Sequence, residues 1–240
     1  MSQDFLVELG TEELPPKALL GLSKAFTQGI KAGLTAEGLS FTAITPYATP
    51  RRLAVMVTAL EESTPLNDVE IWGPPTKIAF DADGNPSKAA EAFAKKNGIE
   101  ISDLASENDG KIDKLVFRTQ AGGVSTTELL AGIVETSLAK LPIAKRMRWG
   151  ASRTEFVRPV HWLVMLYGTD IVDANVLGLT ANRQTKGHRF HYNQALDITS
   201  PSEYAKQLKD VGYIIADVNE RKAMIEQQVQ AQAATVGGTA

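Results

Sequence analysis

Between Phe156 and Tyr167 the chain reads FVRPVHWLVMLY, an almost unbroken apolar run. A strand with so little alternation needs cover on both faces, so the run is expected as a central strand of a sheet buried on two sides. Pro159 lies near its start, where a missing ladder donor is tolerated. The longest part, Pro159 to Tyr167, is interrupted by His161 and is far shorter than the roughly 20 apolar residues of a membrane-spanning helix.

The flanking segments supply strands and helices for such a sheet. Phe5, Val7 and Leu9 alternate with Leu6 and Glu8 as one strand, and Leu53, Val55, Val57 and Ala59 mark another. Leu19, Leu22, Phe26, Ile30 and Leu34 fall on one helical face behind Pro15-Pro16, which suit a first helical turn. Leu130, Ile133, Val134, Ser137, Leu138 and Leu141 form a second face, begun by the capping-box pattern Ser125-Thr126-Thr127-Glu128 and ended by Pro142. Gly168-Thr169-Asp170 predicts a hairpin turn into Ile171–Leu177, and Arg189 to Tyr192 reads as a short strand.

Trp72-Gly73-Pro74-Pro75 punctuates the chain, and the segment beyond it resembles an insertion. Ser87 can cap a helix over Ala89–Lys96 that Gly98 ends, and Leu115-Val116-Phe117 is strand-like. Ser200-Pro201-Ser202-Glu203 and Asp217-Val218-Asn219-Glu220 mark two further helix starts. Strands and helices without regular βαβ alternation give an α+β fold, a mixed, mostly antiparallel sheet packed with helices. The expected core combines residues 1–70 and 141–200, with 73–124 as an inserted small helical subdomain and 201–240 as helices leading onward.

Of 240 residues, 43% are apolar and 22% charged, with a formal charge of −3. Those values exclude a disordered tail, a collagen-like chain and a strongly basic histone-like module. Cysteine is absent, which removes disulfides, thiolate metal sites and a cysteine nucleophile. MSQDFLVELG lacks the basic and apolar regions of a secretory signal, so a soluble, cytoplasmic protein is expected. The charge is uneven. Leu141 to His191 holds eight basic residues against Glu155, Asp170 and Asp173, and Gly38 to Leu60 has Arg51 and Arg52 with no acid. Local potential of this kind can draw a polyanion to an acidic protein, although Arg-rich solvated loops are the plainer explanation.

No P-loop, GxGxxG, GxSxG or HExxH pattern occurs. His188 and His191, three apart in an expected strand, would point to opposite faces, which disfavours a shared metal. His161 falls on the face of Val157, Leu163 and Met165 and is expected as a hydrogen-bonded core histidine. Glu8, Glu12 and Glu13 could be imagined in acid–base work, but the helix dipole accounts for Glu12 and Glu13. No residue is assigned as catalytic or as a metal ligand. Arginine beside an aromatic ring suits phosphate pairing and base stacking, so the candidates for RNA contact are Arg51, Arg52, Lys145, Arg146, Arg148, Trp149, Arg158, His188 and Arg189. For Arg158 and Trp162, on one strand face with Val160 and Val164, the competing explanation is an arginine paired to a carboxylate and a tryptophan filling the core. Four of these cations, Lys145, Arg146, Arg148 and Arg189, are expected to form one acid-free basic face with Trp149 at its edge.

At these segments the chain resembles a known family. FLVELGTEELPPK at 5–17, then TPRRLA, WGPP, NPSKAAEAFAKKNG, LPIAKRMRWG, FVRPVHW and GHRF resemble, in the same order, the bacterial glycyl-tRNA synthetase beta subunit. That family's beta subunit is much longer, so the resemblance is to its N-terminal part. It implies an α2β2 enzyme joining glycine to tRNA(Gly), with ATP and Mg2+ at the alpha subunit, no cofactor in this part, and beta serving tRNA recognition and subunit contact. It also implies an anticodon-binding region toward the C-terminus, outside this chain, and a likeness of the segment around FVRPVHW to the B3/B4 module of phenylalanyl-tRNA synthetase. Two alternatives stay open: a hydrolytic editing module, needing a cleft that joins Glu8 or Glu12 to His188 or Arg158, and a purely structural module that holds alpha.

Overall fold

The computed structural model describes residues 2–81 and 84–239. The outer bounds 1 and 240 of the expected segments, and residues 82 and 83 of the expected insertion, lie outside the described residues. In chain order the strands and helices are β1 (Ser2–Thr11), α1 (Pro16–Ala36), β2 (Ala43–Thr49), β3 (Arg52–Glu61), β4 (Asn67–Pro75), α2 (Thr76–Ala79), α3 (Lys88–Asn97), β5 (Ala105–Asn108), β6 (Asp113–Ala121), α4 (Thr126–Ala139), β7 (Met147–Arg148), β8 (Glu155–Phe156), β9 (Val160–Tyr167), β10 (Asp170–Ile171), β11 (Asn175–Val176), β12 (Leu179–Thr180), β13 (Gln184–Lys186), β14 (Ala195–Asp197), α5 (Tyr204–Asp210) and α6 (Val218–Thr235). They fall into two compact units, one of residues 1–64 and 124–240, the other of residues 65–123. The fold is α+β with antiparallel sheets.

The larger unit is built on a five-stranded sheet of order β10-β9-β1-β3-β2, every neighbour antiparallel. The middle place belongs to β1, and the apolar run forms β9 beside it. Period-two alternation sends Phe5, Val7, Leu9, Leu53, Val55, Val57, Leu163 and Met165 into a core with Leu22, Phe26 and Ile30 of α1 and Leu130, Val134 and Leu138 of α4. Removing each such side chain from water contributes roughly 1.5–3 kcal/mol. The helices approach closely because Gly29 and Gly33 offer no Cβ, which would lie 2.9 Å from Ser137 Cβ and 2.6 Å from Ile133 Cγ2. Leu6, Ala54, Trp162, Val164 and Leu166 form the other face, covered by Leu196, Ile198, Tyr204 and Leu208. Cover on both faces explains why β9 has almost no polar alternation.

Several local expectations change in this unit. The run 156–167 is not one strand: Glu155–Phe156 pairs with Met147–Arg148, and β9 begins at Val160 after Pro159. The register with β1 shifts between Gly10 and Thr11, so that Thr11 faces Val160 and Gly10 faces Trp162. His161 is the extra residue of this bulge, and it is exposed rather than a core histidine. The hairpin after Gly168 holds for two residues, Asp170 and Ile171. His188 to His191 is a turn closed by Tyr192 N donating to His188 O at 2.9 Å, not a strand, and the two imidazoles stand 4.6 Å apart by centroid. Asp217 caps α6 through Asn219 and Glu220 N–H groups, whereas neither Ser125 nor Ser200 makes a side-chain cap.

The smaller unit carries a three-stranded antiparallel sheet, β4-β6-β5, besides its helices, so it is not purely helical. Ser87 accepts from Ala89 and Ala90 N–H, and Gly98 closes α3 at a left-handed φ of 67°. Its core is small: Ala79, Ala90 and Leu115, with Phe80, Phe93 and Leu104 against them.

Candidate nucleic-acid interface

The segment Thr11–Pro15 between β1 and α1 is fastened by backbone hydrogen bonds. Thr11 N donates to Arg51 O at 2.9 Å, Glu12 N to Pro159 O at 2.9 Å, and Leu14 N to Pro50 O at 2.6 Å. Leu14 is buried. The Pro50-Arg51 hairpin tip, the start of β9 and the entry to α1 are thereby held together, although the last two are over 100 residues apart in sequence.

Side chains converge on this junction. Glu12 Oε1 lies 2.9 Å from His161 Nε2 and 3.6 Å from Arg51 Nη2, and its Oε2 is 3.9 Å from Arg189 Nη2. Arg189 is also 3.8 Å from Glu13 Oε1. No acidic residue falls in the first turn of α1, so Glu12 is held by basic side chains rather than by the helix dipole. Arg158 donates from Nε to Glu13 O at 3.1 Å and from Nη1 to Val157 O at 3.0 Å and Met147 Sδ at 3.2 Å. Its partners are backbone and sulfur atoms, not the carboxylate expected of a paired arginine. Glu12, Glu13, Pro50, Arg158 and Arg189 line an open cleft of about 640 Å³.

Arg52 differs from its neighbour Arg51. It is only 2% exposed, its Nη2 donates to Lys186 O at 2.6 Å, and its Cζ lies 5.9 Å from the Trp162 ring centroid. Lys186 Nζ lies 5.6 Å from the same ring. Deeper on that face, buried Glu8 accepts from Trp162 Nε1 and Thr185 Oγ1. Burial first, and the nearby Glu8 carboxylate second, push the Tyr204 phenol well above its usual pKa. Arg51, Arg52, Trp162, His188 and Arg189, together with Phe190, Tyr213 and Arg221, line a second pocket of about 340 Å³.

Of the nine candidates, Arg51, Arg52, Arg158, His188 and Arg189 therefore gather at two adjoining cavities. Lys145, Arg146, Arg148 and Trp149 line neither. Arg146 donates to Ala139 O at 2.9 Å at the end of α4, Arg148 pairs with Glu155 across β7–β8, and Trp149 packs partly against the main core. The acid-free face expected of Lys145, Arg146, Arg148 and Arg189 is not formed as such, because Glu155 meets Arg148 and Glu12 and Glu13 face Arg189. Tyr213 and Arg221 escape sequence reasoning; they lie in the last third of the chain, with no local pattern marking them. Among the described residues no group of three or more His, Cys, Asp or Glu could hold a metal ion, and no helix is long and apolar enough to cross a membrane.

The sequence model of the family described as "Glycyl-tRNA synthetase beta subunit" matches residues 5–240. Among curated relatives, the glycine–tRNA ligase beta subunit of Hahella chejuensis is 53% identical over 238 residues, covering 99% of this chain and 34% of the relative. That of Pseudomonas fluorescens (strain SBW25) is 52% identical over 239 residues, covering 100% and 34%. That of Marinobacter nauticus is 50% identical over 237 residues, covering 99% and 34%. The chain spans about a third of the length of these relatives. With half of its residues shared across almost its whole length, and with the ordered motifs from the β1–α1 junction to the 187–190 turn, the chain belongs to the glycyl-tRNA synthetase beta subunit family.

Proposed function

We propose that this chain is the tRNA-recognising and subunit-contacting N-terminal part of the beta subunit of a two-subunit glycine–tRNA ligase. Glycine activation, with ATP and Mg2+, then belongs to the alpha subunit, and tRNA(Gly) is the nucleic-acid partner. The observation that carries this reading is the gathering of Arg51, Arg158, His188 and Arg189 around adjoining open cavities at the β1–α1 junction. Arginines spaced along a cleft suit the phosphates of a folded RNA. The test is Arg51→Ala with Arg189→Ala in the assembled enzyme. The expected result is weaker tRNA binding with a salt slope smaller by about 1–2, and unchanged glycine-dependent ATP–pyrophosphate exchange. An unchanged slope and affinity would remove the reading.

One observation favours a second reading. Glu12, which lines the cleft with Arg158 and Arg189, also has His161 Nε2 2.9 Å from its Oε1, a carboxylate–imidazole pair able to orient water in a hydrolytic editing module. Hydrolysis of mischarged tRNA that disappears with Glu12→Gln and His161→Ala would support it. Equal hydrolysis by both variants would remove it.

A further inference from the structure

The 340 Å³ pocket beside β3 is lined in a way that simple backbone attraction does not require. Four arginines, Arg51, Arg52, Arg189 and Arg221, share it with one carboxylate, Glu13. Arg52 is buried, yet its Nε and Nη1 have no hydrogen-bond partner. A buried guanidinium with two unmet nitrogens is costly and favours an anionic group nearby.

The same pocket is lined by rings. Trp162 is buried in its wall, whereas Phe190 is 83% and Tyr213 62% exposed. Centroids step from Phe190 to His188 at 6.1 Å, from His188 to His191 at 4.6 Å and from His191 to Tyr213 at 5.9 Å. Rings this exposed contribute little to the core. Tyr213 is moreover held at a left-handed φ of 55°, a strained conformation for a bulky residue of the kind that gathers at ligand sites.

We propose that this pocket takes one unpaired nucleotide of an RNA strand, its base stacked against the Phe190–Tyr213 row and its phosphate met by Arg51 and Arg189 in front of Arg52. The inference rests on the RNA-recognition reading above and narrows it. Duplex RNA offers no free base face to the rings, and an acidic peptide would satisfy the arginines while leaving the rings idle. The volume is at the small end of the roughly 300–1,000 Å³ range of ligand pockets and suits one nucleotide rather than a helix.

The test uses the full-length beta subunit assembled with its partner and a four-nucleotide single-stranded RNA carrying 5-iodouridine. Photocrosslinks are expected on Trp162, Phe190 or Tyr213. Phe190→Ala should weaken binding of the oligonucleotide about tenfold, Phe190→Trp should preserve it, and a blunt duplex should bind both variants equally. Phe190 is exposed, so neither change threatens folding. Crosslinks confined to other segments, or no effect of Phe190→Ala, overturn the proposal. Uridine monophosphate competing as well as the oligonucleotide makes this a free-nucleotide site and overturns the RNA assignment. Polyaspartate competing equally well, in wild type and Phe190→Ala alike, assigns it to an acidic protein partner instead. If Arg51→Ala with Arg189→Ala weakens tRNA binding while Phe190→Ala changes nothing, this proposal falls and the broader reading stands. If neither variant matters, both fall.

Discussion

The Trp162 indole lies directly over Gly10, its partner across the β1–β9 ladder, so closely that a Cβ on Gly10 would stand 1.9 Å from Trp162 Cε2. The missing side chain lets the ring lie flat along the sheet and donate from Nε1 to buried Glu8. One glycine thus sets the wall of the pocket that Arg52 shares.

Gly10→Ala is expected to destabilise the protein by about 3 kcal/mol, because a buried ring with a fixed hydrogen bond has little room to move. Urea unfolding measures this, and adding Trp162→Leu should recover part of the loss. Full stability of the single variant would show that the ring has another resting place.

Arg51 and Arg52 are adjacent but should behave oppositely. Arg52→Ala is expected to cost about 2–3 kcal/mol, since it leaves a cavity beside Trp162 where a buried side chain stood and removes the donor to the Lys186 carbonyl. Arg51→Ala should change stability by less than about 0.5 kcal/mol, as a side chain near the surface and 3.6 Å from Glu12. Denaturant melts of the two variants compare them directly, and a large loss for Arg51→Ala would refute the division of roles.

In the smaller unit, the Lys114 ammonium and the Ile112 and Lys111 N–H groups hold the Asp109 carboxyl down at about 2. A carboxyl whose folded pKa is depressed contributes stability that is present above its unfolded value and lost as pH falls through the folded one. Stability of residues 65–123 should therefore decline between about pH 4 and pH 2, less steeply in Asp109→Asn. Carboxyl-carbon NMR titration of Asp109 is the direct measurement, and a midpoint near the ordinary 3.8 would contradict the geometry.

Arg146 and Arg148 test whether RNA extends beyond the two cavities. If it does, Arg146→Glu with Arg148→Glu should weaken tRNA binding about tenfold or more in the assembled enzyme, with the loss shrinking as salt rises. Affinity equal to wild type at every salt concentration would confine the interface to the Arg51–Arg158–Arg189 junction.

Interactions within one turn or one strand pair were legible in the sequence. The buried stripes of α1 and α4, the caps at Ser87, Gly98 and Asp217, and the two-sided burial of β9 follow from apolar spacing and backbone chemistry over a few residues. The arginine-plus-aromatic segments were visible as composition, and the family was visible in their order. Tertiary structure alone decided which of those arginines meet. Arg51 and Arg158 converge because β1 pairs with both β3 and β9 and its outgoing loop bonds to Pro50 and Pro159, and Arg189 joins them from a turn fastened by His188 N donating to Gly212 O. The register shift at Gly10/Thr11 turned His161 outward to Glu12, and the turn at 188–191 brought together two histidines that a strand would have separated. A one-residue bulge reverses which side of the sheet a side chain faces. Such a bulge is set by the partner strand, so local periodicity carries no trace of it.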